Sequence, residues 1–326
     1  MGQKKLIRFE AIKSFPNVLQ YPEGMAGQWA KFYKNDQPLT LELACGKGEY
    51  TVGLARMYPH RNFLGVDMKG NRIYIGAKKS LQENITNAAF LRTHIDKIAT
   101  YFDKGEVAEI WLTFPDPQLR KSRFTRRLTH PKFIRLYQQI LKPGGCIHLK
   151  TDSPVLYQFT KWVIDMYHLT LLEDSDNVHA EPDSIKDELK INTHYENLDI
   201  ARSGRIHYLS FAVPEGPLPA DLDGALHERV KNEEPTPPER VRPPRNHASG
   251  PGNQTSETED QASALSNQTT GPKSQASKPR NHATEPRNHA TEPGNQPTSP
   301  GNHAPKKVSA GGEEPGQPIT SHPPSK

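Results

Sequence analysis

Phe211 is the last aromatic residue of this 326-residue chain: positions 215–326 contain no Phe, Trp or Tyr. Those 112 positions also hold 19 of the 30 prolines. Such a segment buries too little apolar surface to offset its ordering entropy. It reads as a disordered, Pro-rich tail, and the first 214 residues read as a folded domain with one sizeable core. From Arg245 the tail runs in sevens, RNHASGP to GNHAPKK, for nine units at 245–307. A coiled coil needs an apolar seam with that period; none is present, and Pro commonly closes the unit. His247, His282, His289 and His303 share one place in the unit and read as solvated side chains rather than metal ligands. The tail is assigned no chemistry.

Dividing the chain changes its charge. The tail carries 12 Lys+Arg against 14 Asp+Glu, or −2, while the domain carries 30 against 23, or +7. A basic excess of that size permits a nucleic-acid partner. Cys45 and Cys146 allow at most one disulfide and no cysteine zinc cluster; they read as two small buried residues. The start, MGQKKLIRFE, has no apolar run for a signal peptide, and Leu6 stands where a myristoylation signal wants Ser or Thr. No stretch approaches the ~18 apolar residues of a membrane span, so a cytoplasmic protein is expected.

The domain alternates short apolar strands with helices. Strands are expected at 39–44, 62–67, 88–93, 107–114, 146–150 and 207–213. Helices are expected at 49–57, about 71–83, from Pro131 to a stop at Lys142-Pro143-Gly144-Gly145, and at about 155–167. This alternation means a mostly parallel sheet covered on both faces. Ligands of such sheets sit at the carboxyl ends of the strands.

The chemistry-bearing residues fall at those ends. The first strand runs into Glu42-Leu43-Ala44-Cys45-Gly46-Lys47-Gly48-Glu49. Gly46 and Gly48 let the backbone approach a ligand closely. Asp67 ends the second strand, 21 residues after Gly46, where an acid can bind a ribose diol. A dinucleotide fingerprint wants Gly or Ala at position 51, and Thr51 is there. Glu42 suits the cationic amino acid end of S-adenosylmethionine better than a pyrophosphate. The fourth strand ends in Phe114-Pro115-Asp116-Pro117, with two prolines fixing the backbone around one carboxylate. Residues 118–135 then hold seven Lys+Arg and no acid, with Phe124 among them as a base-stacking candidate. Asp152 follows the fifth strand, and Thr193-His194-Tyr195-Glu196 comes later.

LELACGKGEY, GVDMKGNR, FPDP, RRLTHPKF, LKPGG, LKTD and THYE, in this order, resemble the bacterial tRNA (guanine-N7-)-methyltransferases, the TrmB family. The likeness covers about residues 5–213 and leaves the tail out. It implies the Rossmann-like fold of class I S-adenosylmethionine-dependent methyltransferases: α/β, with a seven-stranded sheet whose last strand is antiparallel. It implies methyl transfer from S-adenosylmethionine to guanine N7 in tRNA, usually at position 46 of the variable loop, yielding S-adenosylhomocysteine. Glu42, Asp67 and Asp116 match cofactor-contact positions, with Gly46 and Gly48 between them, and Asp116 matches the proposed catalytic position. Asp152, Thr193, His194, Tyr195 and Glu196 match substrate-contact positions. Ser122, Arg123, Phe124, Thr125, Arg126 and Arg127 match the RNA-interacting segment. Two positions depart from the pattern: His94 stands where an acid is usual, with Asp96 two residues on, and Arg120 replaces a substrate-contact lysine, with Lys121 next. The implied partner is tRNA, met by a monomer or homodimer.

Guanine N7 has a free in-plane lone pair, so attack on a sulfonium methyl needs neither a general base nor a metal. A different methyltransferase on this fold, a nicotinamide-dependent oxidoreductase and a tRNA-binding module with a relic pocket are the rival readings. Thr51 and the basic FPDP segment speak against the second, and the intact Glu42, Gly46, Gly48, Asp67 and Asp116 against the third.

Overall fold

The computed structural model describes residues 2–180, 185–194, 196–198 and 203–235. Tyr195 and the repeats at 245–307 lie outside them. All described residues belong to one compact unit, Met1–Arg245.

Eight strands make one sheet: β1 Val18–Gln20, β2 Leu39–Leu43, β3 Asn62–Asp67, β4 Ala88–Arg92, β5 Val107–Thr113, β6 Leu141–Thr151, β7 Thr170–Ser175 and β8 His207–Ala212. Their order is β1-β4-β3-β2-β5-β6-β8-β7. Pairing is parallel except where β8 runs antiparallel between β6 and β7. The class I arrangement is therefore present, with one strand more than the expected seven. The extra one is β1, which adds three residues to the edge beside β4, pairing Val18 with Phe90 and Gln20 with Arg92.

Among the described residues seven α-helices accompany the sheet: α1 Gly2–Ala11, α2 Trp29–Tyr33, α3 Glu49–Met57, α4 Gly70–Gln82, α5 Pro131–Gln138, α6 Pro154–Met166 and α7 Leu222–Glu233. Local chemistry sets their starts. Pro131 and Pro154 occupy first-turn positions where no N–H is needed. His130 and Ser153 cap these two helices, accepting from the N–H groups of Lys132 (3.1 Å) and Leu156 (3.3 Å). None of the described helices is long and apolar enough to cross a membrane.

Period-two alternation sorts the strands' side chains. Leu39, Leu41, Leu43, Ile110, Leu112, Ile147, Leu149, Leu209 and Phe211 enter one large core with α5, α6 and α7. On the opposite face Tyr50 and Leu54 of α3 pack with Trp111 and Tyr208. Glu42, Thr113 and Lys150 share that α3 face by their strand registers, near the carboxyl ends. Cys45 is buried and Cys146 partly so, both as free thiols.

Three expectations need correction. The stretch Lys142-Pro143-Gly144-Gly145 does not stop α5, which ends at Gln138; it loops out within β6. The register jumps there from Val107↔Leu141 to Glu109↔Cys146. β7 escaped the sequence reading because TLLEDS is a largely exposed edge strand without a clean apolar face. The domain also does not end at Pro214. Leu218, Leu226 and Val230 are buried in the main core, and Arg135 of α5 grips Asp223 through two bonds of 2.7 and 2.9 Å. An aromatic count missed this segment because aliphatic residues four apart and ion pairs fasten it.

Candidate active site at the carboxyl edge of the sheet

The turn after β2 is left-handed at Ala44, Gly46 and Gly48 (φ 60°, 56° and 71°). At Gly48 only hydrogen fits: a Cβ would come within 2.5 Å of the Phe90 ring. This close approach seats the start of α3 against β4. Asp67, ending β3, accepts from the N–H groups of Gly46 (3.0 Å) and Lys69 (2.8 Å) and ties the turn to its neighbouring strand.

Glu42 is buried beneath this turn. Its Oε2 accepts from the Thr51 N–H (2.7 Å) and the Thr51 hydroxyl, and its Oε1 from the Thr113 hydroxyl (2.6 Å). Burial pushes its pKa up to about 7, against the opposing pull of the Thr113 and Thr51 hydrogen bonds. Thr51 and Thr113 were not expected as site residues. Thr51 was read only as a misfit to a dinucleotide fingerprint; its hydroxyl and N–H are what hold Glu42. The donor set fits S-adenosylmethionine: one inward carboxylate for a cationic amino acid, one strand-end carboxylate for a diol, and a glycine turn between them.

At the end of β4, His94 is exposed and faces the Tyr21 ring at 6.5 Å. Asp96 instead pairs with Lys132 of α5 at 2.5 Å. The two candidates for this contact thus have different surroundings, and Asp96 has a cation beside it.

Beyond β5 the backbone is left-handed at Phe114 (φ 48°), whose N–H donates to Lys150 O at 2.8 Å. Asp116 is exposed, and its Oδ1 accepts from the Gln118 N–H at 3.0 Å. A 3-10 turn follows at Lys121–Arg126. Arg120, Ser122, Arg123, Thr125 and Arg126 are exposed. Phe124 is not available to stack on a base: it is buried, edge-on to His130, Phe159 and His227. Arg127 is no RNA contact in this structure either, being fully buried against Glu234. The apolar environment of Phe159 and the ion pair took these two residues inward, which a linear charge run does not reveal. Lys121 donates to Lys231 O at the end of α7 (2.9 Å).

Lys150 near the end of β6 is fully buried and donates to Leu189 O (2.8 Å), Ile191 O (3.2 Å) and Glu196 Oε2 (2.8 Å). Burial draws its pKa down, and the Glu196 carboxylate opposes that shift. This lysine anchors the segment that carries Thr193, His194 and Glu196. Thr193 is buried, and its hydroxyl accepts from the Glu196 N–H at 3.1 Å; His194 is half-buried beside it. Glu196 points inward to Lys150 and meets His179 Nε2 at 3.2 Å. Asp152, just past β6, is half-buried, and its carbonyl accepts from the Ser203 hydroxyl. The sequence signal for Lys150 was a lysine next to the carboxyl end of β6, on the run Ile147-His148-Leu149.

The strand ends carrying Asp67, Glu42, Asp116 and Asp152 are neighbours in the sheet, in the order β3-β2-β5-β6. Glycine turn, strand-end acids and sheet order together define a class I methyltransferase. Residues 36–209 match the family model described as "Putative methyltransferase". A tRNA (guanine-N(7)-)-methyltransferase of Bacteroides thetaiotaomicron is 44% identical over 224 residues, covering 66% of this chain and 88% of that protein. One from Porphyromonas gingivalis is 45% identical over 215 residues, covering 63% and 87%. One from Christiangramia forsetii is 41% identical over 223 residues and is covered in full. The chain belongs to the bacterial tRNA (guanine-N7-)-methyltransferase family.

Proposed function

We propose that this enzyme transfers a methyl group from S-adenosylmethionine to N7 of a guanine in tRNA, at position 46 of the variable loop, with Asp116 as the catalytic carboxylate. S-adenosylmethionine, when bound, supplies a methyl carried on a sulfonium centre. Glu42, Asp67, the glycine turn and His94 are the residues that would hold it. Asp116 carries the reading: an exposed carboxylate on the strand end beside Glu42, followed directly by the exposed Arg120, Arg123 and Arg126.

N7 is unprotonated near neutral pH, so no residue needs to remove a proton before attack, and no metal is required. Positive charge builds on the purine as the bond forms, and a fixed Asp116 carboxylate follows it. Asp152 accepts from the guanine Watson–Crick edge, while Glu196, held by Lys150, sets the position of Thr193 and His194. The remaining contribution is alignment of N7 with the methyl carbon. N7 lies in the RNA major groove, too deep and narrow for side chains. The target base must therefore be unstacked, and the exposed arginines grip phosphates of folded tRNA. The enzyme works in the cytoplasm, as a monomer or homodimer.

Asp116→Asn tests the assignment. Turnover should fall by about 100-fold or more, in the range of other lost electrostatic contacts, with S-adenosylmethionine affinity kept. Strand scission at N7-methylguanine in the product locates the methyl. Wild-type turnover in the variant refutes the role of Asp116, and scission elsewhere refutes position 46.

A further inference from the structure

The last described turn of the chain reaches back to the loop that bears Asp116. Glu234, just after α7, is 98% buried at its side chain, as its 2% exposure shows, and Arg127 is 0% exposed. Two parallel bonds join them, Nη1 to Oε2 at 2.6 Å and Nη2 to Oε1 at 2.8 Å. The same guanidinium donates from Nε to Pro117 O (3.0 Å) and from Nη2 to Gln118 O (3.2 Å), and it stacks 4.6 Å over Phe159. Pro117 C=O and Gln118 N–H belong to one peptide unit, and that N–H donates to Asp116 Oδ1. Gln118 is left-handed (φ 46°), a conformation that a non-glycine residue keeps only when its surroundings impose it. A continuous path of hydrogen bonds therefore runs from the Glu234 carboxylate through Arg127 and one peptide plane to the Asp116 carboxylate.

We propose that Arg127 and Glu234 are positioning residues for the methyl-transfer step: they fix the plane of the 117–118 peptide and thereby the direction of the Asp116 carboxylate. The proposal rests on the catalytic reading of Asp116. Neither residue touches substrate. Glu234 neutralises a guanidinium that would otherwise be buried as a lone charge, and Arg127 uses its remaining donors on the loop. The planar fork gives the geometry: Nη1 and Nη2 meet the two Glu234 oxygens side by side while Nε and Nη2 reach the two loop carbonyls in fixed directions.

The test uses the full chain and separates positioning from folding. In Arg127→Met/Glu234→Leu both charges go and apolar side chains fill the space, a change that is often neutral or stabilising. The thermal midpoint should stay near wild type, yet kcat should fall about tenfold or more, with KM for S-adenosylmethionine changed less than about twofold. Amide exchange in the 114–121 segment should quicken. Glu234→Gln, which keeps volume and one acceptor, should stay folded and show the same pattern more weakly. Wild-type kcat and exchange in whichever variant remains folded overturn the proposal, as does activity that simply tracks the thermal midpoint. If Asp116→Asn proves fully active, the catalytic reading fails, and exchange at 114–121 still reports whether Glu234 orders the turn.

Discussion

Thr113 on β5 donates a 2.6 Å hydrogen bond to Glu42 on β2, and this bond joins two strand ends beneath the glycine turn. The acceptor is a carboxyl whose pKa burial has raised to about 7. The folded protein thus holds a proton at pH values where the unfolded chain has released it. Stability from this site is full below the ordinary carboxyl range near 4.5 and is lost as pH rises towards 7. Glu42→Gln removes the titration while keeping an acceptor. Its stability relative to wild type should therefore improve between pH 5 and pH 8 by an amount on the order of 3 kcal/mol at most. Chemical denaturation at the two pH values measures it; a difference that does not change with pH would mean Glu42 stays ionised throughout.

Lys150 spends its donors on two carbonyls and Glu196. Lys150→Met leaves the largely covered Glu196 carboxylate with His179 as its remaining partner and two carbonyls without a donor, a loss of about 3 kcal/mol, the low end for a broken buried pair. The segment around 185–198 should also come loose and admit proteases. Urea unfolding gives the first number and limited proteolysis the second, and a variant as stable and as resistant as wild type would contradict the anchor role.

A chain stopped after Pro214 loses the burial of Leu218, Leu226 and Val230 and the Arg135–Asp223 pair. Each such aliphatic side chain contributes roughly 1.5–3 kcal/mol when fully buried. That truncation should unfold at markedly lower denaturant, whereas a chain stopped after Pro235 should match the full protein in stability and turnover. Equal midpoints for all three would place α7 outside the folding unit.

Arg123 and Arg126 are exposed in the segment that follows Asp116, and the proposed function gives them tRNA phosphates. Replacing either with Ala should weaken tRNA binding uniformly across tRNA sequences. It should also reduce the slope of log affinity against log salt by about one per contact removed. Arg127→Ala should differ, destabilising the fold rather than changing the slope. Filter binding across a salt series distinguishes these outcomes.

The strand-end acids and the glycine turn were legible because they follow directly from alternation of strand and helix: a parallel sheet presents its carboxyl edge to ligands, and motifs placed there need no tertiary knowledge. What could not be read was direction. Phe124 and Arg127 sit in a run of cations that looks solvent-facing in one dimension, and only the approach of Phe159, His227 and Glu234 from distant sequence turns them inward. Thr51 and Thr113 were hidden for a similar reason. Their importance comes from a shared partner, Glu42, rather than from any local pattern. α7 was missed because its docking depends on Asp223 and Glu234 finding arginines made long before them.

That last point has a consequence in time. Arg127 leaves the ribosome 107 residues ahead of Glu234. At roughly 5–20 residues per second, the arginine waits on the order of 5–20 seconds for its counter-charge. Through that interval a growing chain holds Arg127 and Asp116 but lacks the carboxylate that pairs with the guanidinium. On the proposed positioning role, completion of the domain and completion of the Asp116 loop coincide, so an unfinished chain emerging amid abundant tRNA would lack the contact that sets that carboxylate.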